Sequence, residues 1–132
     1  MKFKIPFFIA EISANHCGDI KLAKKLIRCA KENGADAVKL QTFTANTMTL
    51  KSSKKYFKIK KGLWKGYQLW DLYNKAHTPF EWHKELFNYS RSIGLEIFST
   101  PFDETAVDLL ESLNCKFYKI SSFEMNDIML LS

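Results

Sequence analysis

The sequence predicts an α/β domain with a parallel sheet, the N-terminal half of a TIM (β/α)8 barrel, on three observations. Four short apolar runs each end in polar, chemically capable residues: Phe7–Ser13, Ala37–Phe43, Glu96–Phe102 and Phe117–Glu124. Segments with helical spacing of apolar residues separate them, giving the order βαβ(insert)αβαβ. The chain of 132 residues ends after about four such βα units, whereas an eight-stranded barrel takes about 250 residues. Ligands in parallel α/β architectures gather at the carboxyl ends of the strands, so four polar strand ends in succession read as one wall of an active site. A doubly wound sheet is the alternative architecture. Neither GxGxxG nor GxxxxGK(S/T) occurs, which weakens its nucleotide-binding version.

Each element has its own signal. The first strand ends in Glu11-Ile12-Ser13, and Lys21–Ala30 then carries apolar residues at helical spacing, with Gly34 as a stop of the C′ type. The second strand, Ala37–Phe43, leads into an excursion over about 44–77, extended at first and with a short helix around Tyr67–Lys75. Connections of that length often mark functional loops. Thr78-Pro79-Phe80-Glu81 supplies an N-cap threonine, proline at N1 and glutamate at N3, a complete capping box. Trp82, Leu86, Tyr89 and Ile93 make that helix's apolar stripe, and Gly94 ends it. A third helix is expected within Asp103–Leu113 with Ala106, Leu109, Leu110 and Leu113 inward. A fourth strand is expected at Phe117–Glu124, and Asn126–Ser132 is the approach to a fourth helix. One partial barrel domain thus spans 1–132.

Composition narrows the function classes. A hydrophobic content of 46% with 11 Phe excludes a disordered tail. No run approaches the roughly 18 apolar residues of a membrane span. Met1–Pro6 lacks the apolar stretch and cleavage site of a leader, so a cytoplasmic protein without membrane partners is expected. Cys17, Cys29 and Cys115 are scattered without CxxC spacing, which points to reduced thiols rather than zinc or disulfides. The net charge is +6, and seven lysines fall between Lys51 and Lys65 among Tyr56, Phe57 and Trp64. That cluster superficially resembles a nucleic-acid surface. A solvated lysine-rich loop is the favoured reading, with steering of an anionic small substrate a third.

Side chains alternate along a strand, so Glu11 with Ser13, Lys39 with Gln41, and Lys119 with Ser121 share faces. A lysine within an apolar strand is costly to bury unless an anion or carboxylate meets it. Lys39 and Lys119 occupy equivalent places in two strands, with hydroxyls at Thr42, Thr100, Ser121 and Ser122. Two point charges with hydroxyl donors suit a phosphate or carboxylate ligand. A structural ion pair with Glu11 or Glu124 is the competing use, and Schiff-base chemistry another. His16 offers a ligand, an acid–base group or a loop-stabilising role, whereas His77 and His83 are assigned to the surface of the second helix. Trp64, Trp70 and Trp82 suit either sugar stacking or core packing.

Four motifs, Ile9–His16, Gly34–Thr42, Phe98–Phe102 and Tyr118–Glu124, together resemble the N-terminal half of the sialic acid synthases, in register over essentially the whole chain. The insert, with Gly62–Gly66, Leu69–Tyr73 and His77–His83, resembles the pseudaminic acid branch of that family. The resemblance implies condensation of phosphoenolpyruvate with an amino sugar aldehyde, here 2,4-diacetamido-2,4,6-trideoxy-altrose, to a nonulosonic acid and phosphate for a surface or flagellar glycan. It implies that Lys39, Thr100, Lys119 and Ser122 hold phosphoenolpyruvate and that Glu11 and Glu124 are catalytic, facing the sugar and the attacked carbons. Gln41 and Ser121 would support the pocket. It further implies a divalent cofactor, manganese or magnesium, whose histidine ligands lie on later strands outside this chain. A C-terminal antifreeze-like domain and a homodimer belong to the complete enzyme. The isolated chain is expected to be an incomplete fragment, with an N-acetylneuraminate or legionaminate synthase fragment, or a non-catalytic anion-binding half-barrel, as alternatives.

Overall fold

In the computed structural model, which describes residues 6–132, strands β1 (Ile9–Glu11), β2 (Ala37–Thr42) and β3 (Glu96–Pro101) form one parallel sheet in sequence order. The leader reading of Met1–Pro6 falls, apart from Pro6, outside the described residues. Register pairs Glu11 with Lys39, Lys39 with Phe98, and Gln41 with Thr100. Alternation then sends Val38, Leu40, Thr42, Ile97 and Ser99 to one face, and all five are buried.

The helices are α1 (Ile20–Glu32), α2 (Ala45–Met48), α3 (Leu69–Ala76), α4 (Phe80–Ser92), α5 (Glu104–Ser112) and α6 (Ile128–Leu131), and three of them, α1, α4 and α5, pack on the sheet. Helix α1 packs on β2 and α4, while α4 and α5 pack on β3. Ile27, Leu86, Phe87 and Leu110 are fully withdrawn from water between them and the sheet. Each such side chain stabilises the fold by about 1.5–3 kcal/mol.

Three helices stop by one mechanism. The residue after the C-cap takes the left-handed conformation at Gly34 (φ 83), Gly94 (φ 69) and Asn114 (φ 53). Its N–H and the next one bond back into the last turn, as Gly34 to Lys31 O and Ala35 to Ala30 O in α1. This doubly bonded C-terminal turn satisfies carbonyls that would otherwise be orphaned.

Several expectations need correction. The fourth strand does not form: Phe117–Glu124 contributes one parallel bridge, Ser99 to Tyr118, with Lys119 N donating to Ser99 O at 3.2 Å. A single rung along β3 cannot hold a strand extended, and the chain turns into a 3-10 turn at Glu124–Asn126. The capping box is also absent. Pro79 is the N-cap of α4 without a side-chain cap bond, because the Thr78 hydroxyl is used in the interior (below). The expected stripe of α4 does face the core, with Leu86 buried and Trp82, Tyr89 and Ile93 packed against it, and it is wider than expected, since His83, Phe87 and Ser90 are buried too. The excursion after β2 holds α2, a 3-10 turn at Lys55–Phe57, and a narrow loop closed by Ile59 N to Tyr67 O and Gly66 N to Ile59 O. The helix expected around Tyr67–Lys75 is α3.

Among the described residues, the second face of the sheet is largely uncovered. Phe7, Ile9 and Phe117 are exposed there beside Phe98, which Phe117 shields edge-on at 6.2 Å between ring centroids. No described helix is long and apolar enough to cross a membrane.

Candidate functional site

The open face changes character along the strands, from apolar at Ile9, Phe98 and Phe117 to polar at the carboxyl ends. Lys39, in the middle of β2, reaches across both neighbours. Its ammonium forms an ion pair with Glu11 Oε2 of β1 and donates to Thr100 Oγ1 of β3 at 3.4 Å. Thr100 is buried, and the Lys39 side chain is only 13% exposed against 43% for Glu11. The structural ion pair named as the competing use of Lys39 is thus present with Glu11, and Thr100 is the second partner of the ammonium. Glu11 uses its other oxygen to accept from Ser13 N at 3.0 Å, where Ser13 sits at a left-handed φ of 45. The Ser13 hydroxyl donates to Gln41 Oε1 at 3.2 Å, which joins Gln41 to the group.

The remaining candidates make no hydrogen bond to this group among the described residues. The Ser99–Tyr118 bridge and strand alternation put Lys119 on the same face as Lys39 and Thr100, and it is exposed. Ser121 is half-buried and Ser122 exposed in the following loop. Glu124 opens the 3-10 turn, and its Oε2 is buried with no hydrogen-bond partner among the described residues. An unsatisfied buried carboxylate oxygen is rare and asks for an explanation, often a functional one.

Thr42 is not part of this group. It points to the helix side, where its hydroxyl meets His83 Nε2 at 2.8 Å and Ser99 Oγ at 2.6 Å. His83 is fully buried, which corrects its assignment to the helix surface, and burial lowers its pKa from the ordinary value. His77 is half-buried, with Nδ1 donating to Asn74 O at 2.7 Å. His16 is equally enclosed. Its Nδ1 accepts from Gly18 N at 3.1 Å and its Nε2 meets the Thr78 hydroxyl at 3.2 Å. Burial, then the charge of His77, lowers its pKa. The loop-stabilising reading of His16 fits these contacts. Strand alternation carried the signal for Thr42, whereas nothing local marked His83.

Other groups hold the strand-end loops. Asp103 caps α5 through Ala106 N at 2.9 Å and accepts from Thr47 Oγ1 of α2 at 2.8 Å. Burial alone would raise its pKa, but hydrogen bonds from Thr105, Thr47 and the backbone outweigh that and lower it. Trp82 contacts His16 edge-on and packs on the core, Trp70 lies under the Lys51 ammonium, and Trp64 is exposed. The lysine-rich segment is solvated along most of its length. All three cysteines are free thiols. Among the described residues no three His, Cys, Asp or Glu side chains gather as a metal-ligand set. The resemblance places the ligands of its divalent ion outside this chain, and no step below runs through one.

Fold and strand ends together define a parallel α/β domain that presents a lysine, a carboxylate, an amide and hydroxyls on one open face. The chain belongs to the NeuB family, whose sequence pattern matches residues 26–132. It is 52% identical over 126 residues to the pseudaminic acid synthase of Helicobacter pylori, covering 96% of this chain and 37% of that protein. Identity is 40% over 122 residues to the N,N'-diacetyllegionaminic acid synthase of Legionella pneumophila, covering 92% and 34%. Among solved structures, the N-acetylneuraminic acid (sialic acid) synthetase of Leptospira borgpetersenii, in complex with citrate, matches at TM-score 0.79 and 26% identity, over 97% of this chain and 40% of that one. The chain thus spans little more than a third of the length of the curated relatives it matches.

Proposed function

We propose that the chain is the N-terminal half of the (β/α)8 barrel of a phosphoenolpyruvate-dependent nonulosonic acid synthase, with pseudaminic acid as the product. The observation that carries this reading is Lys39. An enclosed ammonium shared between a carboxylate and a hydroxyl, at the polar end of an open sheet face, is a point charge ready to accept an anionic ligand. The higher identity to a pseudaminic than to a legionaminic acid synthase, 52% against 40%, favours 2,4-diacetamido-2,4,6-trideoxy-altrose as the sugar. The uncovered Phe7, Ile9 and Phe117 favour a sheet whose second face is completed by further chain.

In the proposed reaction C3 of phosphoenolpyruvate attacks the open-chain aldehyde, forming the new carbon–carbon bond, while water adds at C2. The aldehyde oxygen takes up the proton that water gives on adding. The bond between C2 and the phosphate ester oxygen then breaks, phosphate leaves with the proton of the new C2 hydroxyl, and C2 becomes the keto group of the product. Lys39 and Lys119, with Thr100 and Ser122, hold the carboxylate and phosphate and stabilise the charge of the departing phosphate. For Lys39 this means exchanging Glu11 for the ligand, which frees the Glu11 carboxylate to face the sugar. Glu124, with its unpartnered oxygen, is the second carboxylate. Gln41 and Ser121 support the pocket. The complete enzyme takes a divalent metal through ligands outside this chain and works as a homodimer in the cytoplasm.

The test combines calorimetric titration of phosphoenolpyruvate, an assay of phosphate release with the altrose derivative and manganese, and light scattering. The expected result is binding of phosphoenolpyruvate, no turnover by the 132-residue chain, and a size above monomer. Failure to bind phosphoenolpyruvate refutes the ligand. Steady turnover by a compact monomer refutes the half-barrel.

A further inference from the structure

A line of buried polar groups runs under the sheet on the side away from Lys39. His83 Nδ1 lies 3.0 Å from Pro79 O, and because a carbonyl only accepts, Nδ1 carries a proton. In the neutral imidazole Nε2 is then bare, so it accepts from the Thr42 hydroxyl. Thr42 Oγ1, having given up its proton in that direction, accepts from Ser99 Oγ. Every proton in the line has one allowed direction. His16 holds the opposite tautomer. Its Nδ1 accepts from a backbone N–H, so Nε2 carries the proton and donates to Thr78. The start of α4 is thereby clamped at Thr78 to the loop after β1 and at His83 to the end of β2.

The geometry of the Thr42–Ser99 bond matters for the other face. These two residues are not opposite one another: Thr42 pairs with Pro101, and Ser99 pairs with Leu40. The bond is diagonal, and the rung it straddles is Gln41 with Thr100. Thr100 is the residue that receives the Lys39 ammonium. A diagonal tie of 2.6 Å fixes how far β2 and β3 slide along each other at that rung.

We propose that His83 is a positioning residue. Through Thr42 and Ser99 it fixes the carboxyl ends of β2 and β3 from the helix side, and so sets the spacing of Lys39, Gln41 and Thr100. That this face takes phosphoenolpyruvate rests on the proposed function; that it is positioned from His83 does not. Burial also keeps His83 in its neutral form, which the line of protons requires.

Nitrogen NMR of the histidine-labelled protein tests the proton directions without any variant. The expected spectrum has His83 protonated at Nδ1 and His16 at Nε2; His83 protonated at Nε2 overturns the proposal. Resonances of the Lys39 Cε and Nζ and of the Thr100 methyl then report on the opposite face. H83F fills the space but offers Thr42 no acceptor, and it is expected to shift those resonances and weaken phosphoenolpyruvate binding several-fold. H83Q places an amide oxygen near the position of Nε2 and is expected to restore both. Ser99→Ala removes only the last donor and is expected to shift the same signals in the same direction, less far. It supplies the reading if H83F does not fold. Unchanged Lys39 and Thr100 signals in H83F, or in Ser99→Ala where H83F is unfolded, overturn the proposal. Signals that move as expected in a protein that binds no phosphoenolpyruvate support the positioning role and refute the proposed function alone.

Discussion

Replacing Lys39 with Met separates binding from stability. In the folded chain the ammonium has two partners, Glu11 and Thr100. The Glu11 side chain is 43% exposed, so its charge remains hydrated when the lysine is gone. A partly exposed pair of this kind contributes about 0–1 kcal/mol. Methionine keeps the length of the stem and removes the cost of enclosing a charge. The expected change in unfolding free energy is therefore within about 1 kcal/mol. Binding is different, because a charge-assisted hydrogen bond to phosphate or carboxylate is worth about 1.5–3 kcal/mol. That corresponds to an affinity loss of about 10- to 140-fold for phosphoenolpyruvate. Calorimetric titration and urea unfolding of wild type and Lys39→Met measure both quantities. Glu11→Gln provides the internal control, since it releases the ammonium from its competitor and is expected to keep or tighten phosphoenolpyruvate binding. If Lys39→Met binds within twofold of wild type, the assignment of Lys39 to the ligand is wrong. If it unfolds several kcal/mol more easily, Lys39 is a structural element.

Two further outcomes are expected. Asn114→Ala, at a left-handed φ of 53, should lower stability by about 1 kcal/mol in urea unfolding, because alanine lacks asparagine's tolerance of that region; an unchanged midpoint would contradict the C-terminal turn described for α5. His16 and His83 are both held below the ordinary histidine value of 6.5, chiefly by burial, so the unfolded chain takes up protons first as pH falls. Their contribution to stability should be complete above about pH 6.5, decline below it, and vanish once the lowered folded values are passed; H83Q should flatten the dependence of the urea midpoint over that window, and an unaltered slope would show that His83 titrates normally.

Local signals were enough for much of the fold. Gly34 and Gly94 marked helix ends because the residue after the C-cap takes the left-handed region, which glycine enters freely, and strand alternation put Lys39 with Gln41 on one face. What stayed hidden depends on partners distant in sequence. Thr78-Pro79-Phe80-Glu81 has every feature of a capping box, yet His16, 62 residues away, takes the Thr78 hydroxyl. His83 looks like a surface residue until Thr42, 41 residues earlier, is known to face it. The run at Phe117–Glu124 has strand composition, but its extension depends on pairing that one bridge to Ser99 does not supply. For the site, the Glu11–Lys39–Thr100 contacts follow from register, whereas the loop holding Ser121, Ser122 and Glu124 is set by a turn that no strand pattern encodes.

The shared way in which α1, α4 and α5 end bears on how such a chain assembles itself. In each, the left-handed residue is followed at once by one whose N–H returns to the last helical turn: Ala35, Leu95 and Cys115. The exit direction from helix to sheet is thus settled within a handful of neighbours, before any long-range pairing. Parallel strands are slow to find one another because the chain must close a long crossover first. A preset exit leaves the arriving segment fewer directions to explore. During synthesis, each βα unit leaving the ribosome would offer the next a ready template, and the sheet would grow by accretion in sequence order.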